Sequence, residues 1–334
     1  MNPVVDAHVR LNQQTVDAWR SVESHRRKVL KMLRHAADLA QPSADRLAVL
    51  GAGNCNDLDL PELLQSYQNI ELFDIDVDAV RCGVRRQLGS MKLDEGAERV
   101  RIAPPTDVTG IAELLSQLSA DGEGDLSIRA SLMRAIDVVP EGIPLKSFDV
   151  VVSICLLSQL ILSVTQTIGE LQFQLEVIQA IRQQHLQLLL SMLRPGGIAV
   201  LIVDFVSSDT APELLASTEA MLPDVASQLV NRQNFFTGCN PGVIAHQLRH
   251  NAALSTEIAQ LQLTNPWFWD LKLHLDTWCA DSLFSGLEWE ARLTRARCRL
   301  KNKSRSFNGE GSQCIRIDSL RHATDKTIQY LDRR

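Results

Sequence analysis

The chain has 334 residues, of which 45% are hydrophobic and 22% are charged. This composition is ordinary for a globular protein with a sizeable core, and it excludes a largely disordered chain. The formal net charge of -6 argues against nucleic acid as the partner, because such partners usually require a basic surface. The seven cysteines include no CxxC pair, so we expect reduced thiols rather than a disulfide framework or a zinc site.

The apolar segments argue against a membrane location. The N-terminal stretch has no apolar signal core, and apolar runs such as 198–203 are far shorter than a membrane span. We therefore expect a soluble, cytoplasmic protein. Its oligomeric state cannot be deduced from the sequence.

From residue 46 to residue 205, short apolar runs alternate with amphipathic segments. Apolar runs bounded by turn residues are typical of buried parallel strands, and the predicted strands are 47–50, 70–73, 100–103, 148–154 and 198–205. Between them, apolar residues recur at helical spacing, and the predicted helices are 57–67, 77–88, 111–118, 126–136 and 169–193. This alternation indicates a parallel sheet with helices on both faces.

The two flanks differ from this pattern. A helix is predicted over 12–40, where apolar residues recur at helical spacing up to Gln41-Pro42-Ser43. After residue 205, helices are predicted over 211–230 and 241–262. Strand-like segments follow at 288–300 and 314–317.

A glycine-rich turn, Gly51-Ala52-Gly53-Asn54, follows the first predicted strand. Glycine lets the backbone approach a ligand closely, and the N-terminus of a following helix offers unpaired N–H groups. Taken alone, the turn favours no single ligand, because nicotinamide-, flavin- and methyl-transfer folds share it and it also occurs as an ordinary turn.

An acid, Asp74, ends the second predicted strand about 20 residues after the glycines, the place where dinucleotide folds hold the ribose hydroxyls. A carboxylate can accept hydrogen bonds from both hydroxyls of a vicinal diol. We therefore predict that Asp74 binds a ligand. Asp76 and Asp78 are interpreted as surface residues or helix caps.

A second acid, Asp107, follows the third predicted strand. It could accept the exocyclic amine of an adenine, with the backbone N–H of Val108 donating to the ring. The alternative is that Asp107 caps the helix predicted to start near Ile111.

These features resemble the core of the class I S-adenosylmethionine-dependent methyltransferases, and the resemblance covers residues 46–205. In that family the first strand ends in GxGxG, and acids follow the second and third strands. Ser147–Ile154 is similar to the family's FDhV strand, and Leu193–Gly197 is similar to its LxPGG signature. Two positions depart from the pattern: Val49 stands where the family often has an acid, and Cys55 replaces the third glycine.

The resemblance implies an α/β protein with a doubly wound, mostly parallel, seven-stranded sheet of the Rossmann-like methyltransferase type. It implies four regions: an N-terminal helical segment packed over the cofactor side (1–45), an S-adenosylmethionine-binding core (46–205), a helical insertion that helps to form the acceptor pocket (206–286), and C-terminal strands that complete the sheet (287–334). The implied cofactor-binding residues are Gly51, Ala52, Gly53, Asn54, Asp74, Ile75, Asp107, Val108 and Ser153.

The methyl acceptor is the least readable part of the sequence. After strand four the chain reads SICLLSQ, which lacks the Asn/Asp-Pro-Pro-aromatic motif of the family's amino-methylating forms. This argues against methylation of nucleic-acid bases and favours a small-molecule acceptor. Candidate acceptor-facing residues are Ser158 and Gln159, and His246 is a candidate base; the alternative for all three is helix surface.

Two further clusters are candidates for a functional role. His246 and His250 have the spacing of a metal pair, but no carboxylate pattern supports a metal, so none is predicted. The aromatic cluster 265–270 could line an acceptor pocket or pack the C-terminal segment on the core. Two other functions stay open: a non-catalytic protein that keeps the fold as a binding module, and a nicotinamide-dependent oxidoreductase.

Overall fold

The computed structural model describes residues 3–40, 44–89, 97–121, 125–168, 173–208, 210–271, 310–315 and 331–333. Its helices are α1 (Pro3–Gln14), α2 (Glu23–Leu39), α3 (Leu60–Leu63), α4 (Val77–Leu88), α5 (Ala112–Asp121), α6 (Asp125–Ile136), α7 (Leu156–Ile168), α8 (Gln174–Met192), α9 (Leu222–Asn231), α10 (Pro241–His250) and α11 (Ala252–Ser255). Its strands are β1 (Arg46–Leu50), β2 (Asn69–Phe73), β3 (Val100–Ile102), β4 (Phe148–Ile154), β5 (Leu193–Ser207), β6 (Ile258–Leu261), β7 (Trp267–Leu271), β8 (Glu310–Ile315) and β9 (Leu331–Arg333). Within these ranges, no helix is both long enough and apolar enough to cross a membrane.

The strands form one sheet with the main order β3-β2-β1-β4-β5-β8-β7. The first five strands along this path pair in parallel, which confirms the predicted parallel α/β core. β8 joins β5 in antiparallel orientation, and β7 is antiparallel to β8. The carboxyl ends of β1, β2, β4 and β5 therefore meet along one edge of the sheet.

Each face of the sheet is covered by helices, so the sheet is doubly wound. Alternate residues of β1 and β4 enter two separate apolar clusters, as expected for strands buried on both sides. Helices α2, α3 and α4 pack on one face, and α5 to α8 pack on the other. Along β5, Ile198, Val200 and Ile202 face α2, whereas Ala199 and Leu201 face α8.

The predicted number of seven strands is not confirmed, because nine strands pair in the described ranges, seven of them along the main order. The reason is the length of β5, which has 15 residues. Its first half pairs with β9 and its second half pairs with β8, so one strand supports two antiparallel neighbours. β6 then extends the sheet from β9.

The helix predicted over 12–40 is divided into α1 and α2 by a turn. Three hydrogen bonds hold the turn: Arg26 donates to the carbonyls of Trp19 and Asn56, and Nδ2 of Asn56 donates to the carbonyl of Thr15. The apolar periodicity continues through this turn because Ala18 and Val22 are buried there. Periodicity therefore predicted one helix where the backbone turns.

Two other segments differ from the predictions. Residues 156–168, which were not predicted to be helical, form α7, and the helix predicted over 169–193 begins at Gln174. In the segment predicted to be a helical insertion, β6 and β7 are strands, and β6 overlaps the helix predicted over 241–262. The predicted segment 288–300 lies outside the described residues, and the division into four regions stays a prediction.

Candidate functional site

The glycine turn lies at the carboxyl end of β1, between the ends of β2 and β4. Gly51 has a φ of +74°, and the backbone N–H groups of Gly51 and Ala52 donate to the carbonyl of Phe73 at the end of β2. A Cβ at Gly51 would lie 2.9 Å from Cδ1 of Leu156 in α7. Glycine is therefore required here both for the turn and for the close approach of α7.

The carboxylate of Asp74 organises this turn. Its Oδ2 accepts from the N–H of Gly53 at 2.8 Å, and its Oδ1 accepts from the N–H of Asp76 at 2.8 Å. Burial raises the pKa of Asp74 to about 6, against the lowering effect of these backbone bonds. The side chain is half-buried, and a carboxylate has about four lone-pair sites, so it retains capacity for a ligand.

Helix α1 lies across this site. Its Asn12 donates from Nδ2 to Oδ2 of Asp76 at 3.0 Å, and its carbonyl accepts from Nδ2 of Asn54 at 2.6 Å. A Cβ at Gly53 would lie 3.0 Å from Oδ1 of Asn12. On the same helix, the His8 ring lies 3.1 Å from Oγ of Ser163 in α7. The N-terminal segment thus packs over the carboxyl edge of the sheet.

The two departures from the glycine pattern have different structural consequences. Cys55, at the place of the third glycine, keeps the left-handed backbone with a φ of +52° and is fully buried. Burial raises the pKa of its thiol to about 12, which favours the protonated form at neutral pH. Val49 is fully buried in β1 and packs with the α2 side of the core.

Asp107 caps the start of α5, which is the alternative role that the sequence suggested for it. Its Oδ1 accepts from both the N–H and the hydroxyl of Thr109, and its Oδ2 accepts from the N–H of Ala112 at 2.7 Å. These bonds satisfy donors at the start of α5. Val108 beside it is buried. A contact of this pair with adenine stays a prediction.

Ser153 lies opposite Leu50 in the register of β4 with β1, directly before the glycine turn. Its side chain is fully buried, and its Oγ lies 2.8 Å from Nε2 of His185 in α8. Burial lowers the pKa of His185 to about 4, so the ring is neutral at neutral pH. In this structure the Ser153 hydroxyl bonds to α8, and its predicted role toward a cofactor stays a prediction.

The three catalytic candidates, Ser158, Gln159 and His246, take no part in the polar contacts described above for the glycine turn. Ser158 donates to the carbonyl of Cys155 within the first turn of α7, and Gln159 is half-buried on the same helix. His246 is exposed on α10, and its ring centroid lies 4.5 Å from that of His250. In the described part of the chain, no group of three metal-ligating side chains is found.

A polar cluster whose members no local sequence pattern connects lies on the α2 side of the same edge. We call Asp57, His25, Trp267 and Asp204 the polar cluster. Trp267 donates from Nε1 to Nδ1 of His25 at 3.0 Å, and Nε2 of His25 lies 3.6 Å from Oδ1 of Asp57. Asp204 lies in the second half of β5 and is 9% exposed.

Two residues of the polar cluster, Asp57 and His25, have pKa values far from their ordinary ranges. Burial and the nearby carboxylate of Asp204 raise the pKa of Asp57 to about 7, although Arg26 opposes this shift. Burial, together with Lys28 and Arg26, lowers the pKa of His25 to about 3. The side chain of His25 is fully buried, although it lies in the basic segment His25-Arg26-Arg27-Lys28 of the sequence.

The chain resembles S-adenosylmethionine-dependent methyltransferases of known structure. CalS10, an amino pentose methyltransferase from Micromonospora echinaspora, is 18% identical over 56% of this chain, with a TM-score of 0.27. The aligned region spans 52% of CalS10, about half of its length. The N-methyltransferase NodS from Bradyrhizobium japonicum is 10% identical over 93% of this chain and 99% of NodS, with a TM-score of 0.38. An arsenic(III) S-adenosylmethionine methyltransferase from Chlamydomonas reinhardtii is 12% identical over 82% of this chain and 63% of its own, with a TM-score of 0.30.

No protein-family model and no curated protein matches.

Proposed function

We propose that the chain is an S-adenosylmethionine-dependent methyltransferase that acts on a small molecule. The observation that carries the proposal is the turn after β1, where Gly53 donates to the half-buried carboxylate of Asp74. This turn lies where the strand order changes direction, between β2 and β4. Ligands of open α/β sheets bind at such switch points, outside the carboxyl ends of the strands.

The residues around the turn fit an adenosyl group. Asp74 already accepts from two backbone N–H groups and has lone pairs left for the two ribose hydroxyls. Gly53 has no side chain on the side where Asn12 of α1 lies, which lets α1 approach the backbone of the turn closely. The conformation of Cys55 supports the same conclusion, because its left-handed backbone preserves the turn that a third glycine would make.

S-adenosylmethionine, when bound, supplies a methyl group on a positively charged sulfur. The work left to the protein is to position the two reactants and to exclude water. In this proposal Asp74 holds the ribose, the Gly51–Gly53 backbone lies against the ligand, and α1 covers it from solvent. A small acceptor is supported by the net charge of -6 and by the sequence after β4, which lacks the motif of base-methylating enzymes.

Calorimetric titration tests this function. We expect the protein to bind S-adenosylmethionine and S-adenosylhomocysteine but not NAD. Asp74→Ala should weaken binding by about 100-fold, because two charged hydrogen bonds are lost. The matched control is Asp78→Ala, since the Asp78 side chain is 87% exposed and pairs with Arg81. At about 100 times its Kd, the ligand should also stabilise the fold by about 2.7 kcal/mol.

The other outcomes of the titration are equally informative. Folded protein that binds neither adenosyl compound would contradict the enzyme proposal and favour a binding module. Binding of NAD alone would favour an oxidoreductase. Equal losses in Asp74→Ala and Asp78→Ala would show that the ligand lies elsewhere.

A further inference from the structure

Helix α1 places one side chain, Asn12, against both residues that hold the carboxylate of Asp74. The backbone N–H groups of Gly53 and Asp76 donate to Asp74, one to each oxygen. Nδ2 of Asn12 donates to Oδ2 of Asp76 at 3.0 Å, and Oδ1 of Asn12 lies 3.0 Å from the place that a Cβ of Gly53 would take. The amide of Asn12 therefore extends from one N–H neighbour of Asp74 to the other.

The contact with Asp76 fixes the direction in which this amide points. Both oxygens of Asp76 accept, because Oδ2 accepts from Asn12 and Oδ1 accepts from the backbone N–H of Ala79 at the start of α4. A carboxylate cannot donate, so the NH2 group of Asn12 must face Asp76 and its carbonyl oxygen must face away. At Gly53 the nearest atom of Asn12 is indeed Oδ1, with Cγ behind it at 3.8 Å. A hydrogen-bond acceptor thus points to the glycine turn.

This acceptor has capacity for a ligand. In the part of the chain that the structure describes, no hydrogen bond to Oδ1 of Asn12 is found. The side chain is half-buried, and an amide oxygen carries two lone pairs. Oδ1 of Asn12 and the Asp74 carboxylate therefore stand around the same turn as acceptors that can take further donors.

The end of α1 that carries Asn12 is tied to the loop after β1. Nδ2 of Asn54 donates to the carbonyl of Asn12 at 2.6 Å and to Oγ1 of Thr15 at 3.2 Å. Nδ2 of Asn56 donates to the carbonyl of Thr15 at 2.7 Å. None of these bonds uses the side chain of Asn12, so the backbone holds that side chain in place. A ligand group that meets a fixed acceptor loses less binding energy to ordering.

We propose that Asn12 is a ribose-binding residue for the adenosyl ligand. One ribose hydroxyl donates to Oδ1 of Asn12 as well as to Asp74, in a three-centre hydrogen bond. Asp76 is the positioning residue, because it holds the amide of Asn12 with its oxygen toward the turn. This inference rests on the proposed function and adds a ligand contact from the N-terminal helix.

The proposal implies selection for ribose over deoxyribose. A ligand without the contacted hydroxyl leaves the Asn12 oxygen without a donor, and a site built to bind a hydroxyl rejects the analogue that lacks it. The effect of changing Asn12 should therefore depend on that single hydroxyl. A residue that only supports the fold of α1 would affect all adenosyl ligands equally.

The test is a calorimetric titration with S-adenosylhomocysteine and with its 2′-deoxy and 3′-deoxy forms. Asn12→Ala should weaken binding of S-adenosylhomocysteine about fivefold, as expected for the loss of one neutral hydrogen bond. It should weaken one deoxy form to the same extent. It should leave the other deoxy form, which lacks the contacted hydroxyl, unchanged, so the two losses are not additive. The matched control is Gln13→Ala, because Gln13 is the next amide on α1 and is exposed.

A second variant tests the positioning role without changing α1. Asp76→Asn keeps a residue that can cap α4, but its side chain no longer requires the NH2 group of Asn12 to face it. We expect the same hydroxyl-specific pattern of losses, no larger than in Asn12→Ala. In the Asn12→Ala background, Asp76→Asn should have no further effect. An equal effect in both backgrounds would show that Asp76 does not act through Asn12.

The folding of the first variant is checked separately. Alanine is a better helix former than asparagine, and the backbone carbonyl that accepts from Asn54 remains, so we expect α1 to stay in place. Thermal unfolding of Asn12→Ala and Gln13→Ala without ligand measures this. If Asn12→Ala is the less stable of the two, the pattern in Asp76→Asn decides.

The results separate this inference from the function on which it rests. Wild-type protein that does not bind S-adenosylhomocysteine would contradict the proposed function. Normal wild-type binding that Asn12→Ala leaves unchanged, or weakens equally for all three ligands, would overturn the ribose contact alone. Tighter binding by Asn12→Ala would overturn it too, since Asn12 would then compete with the ligand.

Discussion

The carboxylates at the two edges of the sheet are used in different ways. At the amino edge, Asp149 is 2% exposed, accepts from the backbone N–H groups of Asp45 and Arg46, and forms an ion pair with Arg194. At the carboxyl edge, Asp74 and Asp57 are partly exposed, and burial raises the pKa of both. A carboxylate that is saturated by its own chain holds the fold, whereas one that keeps spare lone pairs in a crevice is available to a ligand.

The comparison also changes the meaning of the strongest family signatures. The FD of β4 and the start of LRPGG meet through Asp149 and Arg194, at the edge opposite the proposed ligand site. A Cβ at Gly197 would lie 3.0 Å from the carbonyl oxygen of Asp149, which explains one of the glycines. These motifs resemble the family because they build its sheet, whereas the proposed cofactor site lies at residues 51–54 and 74.

The largest effect should come from the amino edge. Asp149→Ala removes the acceptor of two backbone N–H groups and leaves Arg194 without this partner, so the free energy of unfolding should fall by about 3 kcal/mol. Urea unfolding measures the loss. The folded fraction should bind S-adenosylhomocysteine with unchanged Kd; a weakened Kd would mean that the two edges are not separable.

A smaller, pH-dependent effect should mark the carboxyl edge. Folding raises the pKa of Asp57 to about 7, so the folded chain holds a proton that the unfolded chain releases above about pH 4. The contribution of Asp57 to stability should therefore fall as pH rises from 4 to 7. Asp57→Asn cannot ionise and should gain stability relative to wild type across this window, measured by urea unfolding at several pH values. A constant difference would contradict the raised pKa.

The smallest effect concerns the backbone of the turn. Cys55 has a φ of +52°, a conformation that costs residues with a Cβ about 1 kcal/mol and costs glycine little. Cys55→Gly should therefore be more stable than Cys55→Ala by about 1 kcal/mol, the reverse of the order expected in a regular helix or strand. Thermal unfolding of the two variants makes this comparison. A higher Tm for Cys55→Ala than for Cys55→Gly would disprove the left-handed turn.

The parallel core could be predicted from the sequence because it depends on local patterns. A strand buried on both faces is a continuous apolar run, and β1, β2 and β4 were predicted within one or two residues. Helix α7 was missed, since it follows β4 after a single residue and so continues the apolar run of the strand. β7 was missed because the aromatic cluster that contains Trp267 was interpreted as lining a pocket or packing on the core, and its residues show no strand pattern.

The candidate site was predictable only in part. Asp74 follows from the order of strands, because the end of β2 must lie beside the end of β1 in this topology. The contact between His25 and Trp267 joins residues 242 positions apart on α2 and β7, and no local pattern connects them. For Asp107 the sequence offered two roles, an adenine contact and a helix cap. Its side chain bonds to Thr109 and Ala112 as a local cap would.

Hydrogen exchange of the backbone amides, with and without saturating S-adenosylhomocysteine, tests the central claim most directly. The account predicts slower exchange on ligand binding at residues 51–57 and 74–76 and in α1. It predicts no change at residues 145–149 and 193–197 of the amino edge. Slowing confined to the amino edge, or no slowing at the glycine turn in ligand-saturated protein, would contradict the placement of the cofactor.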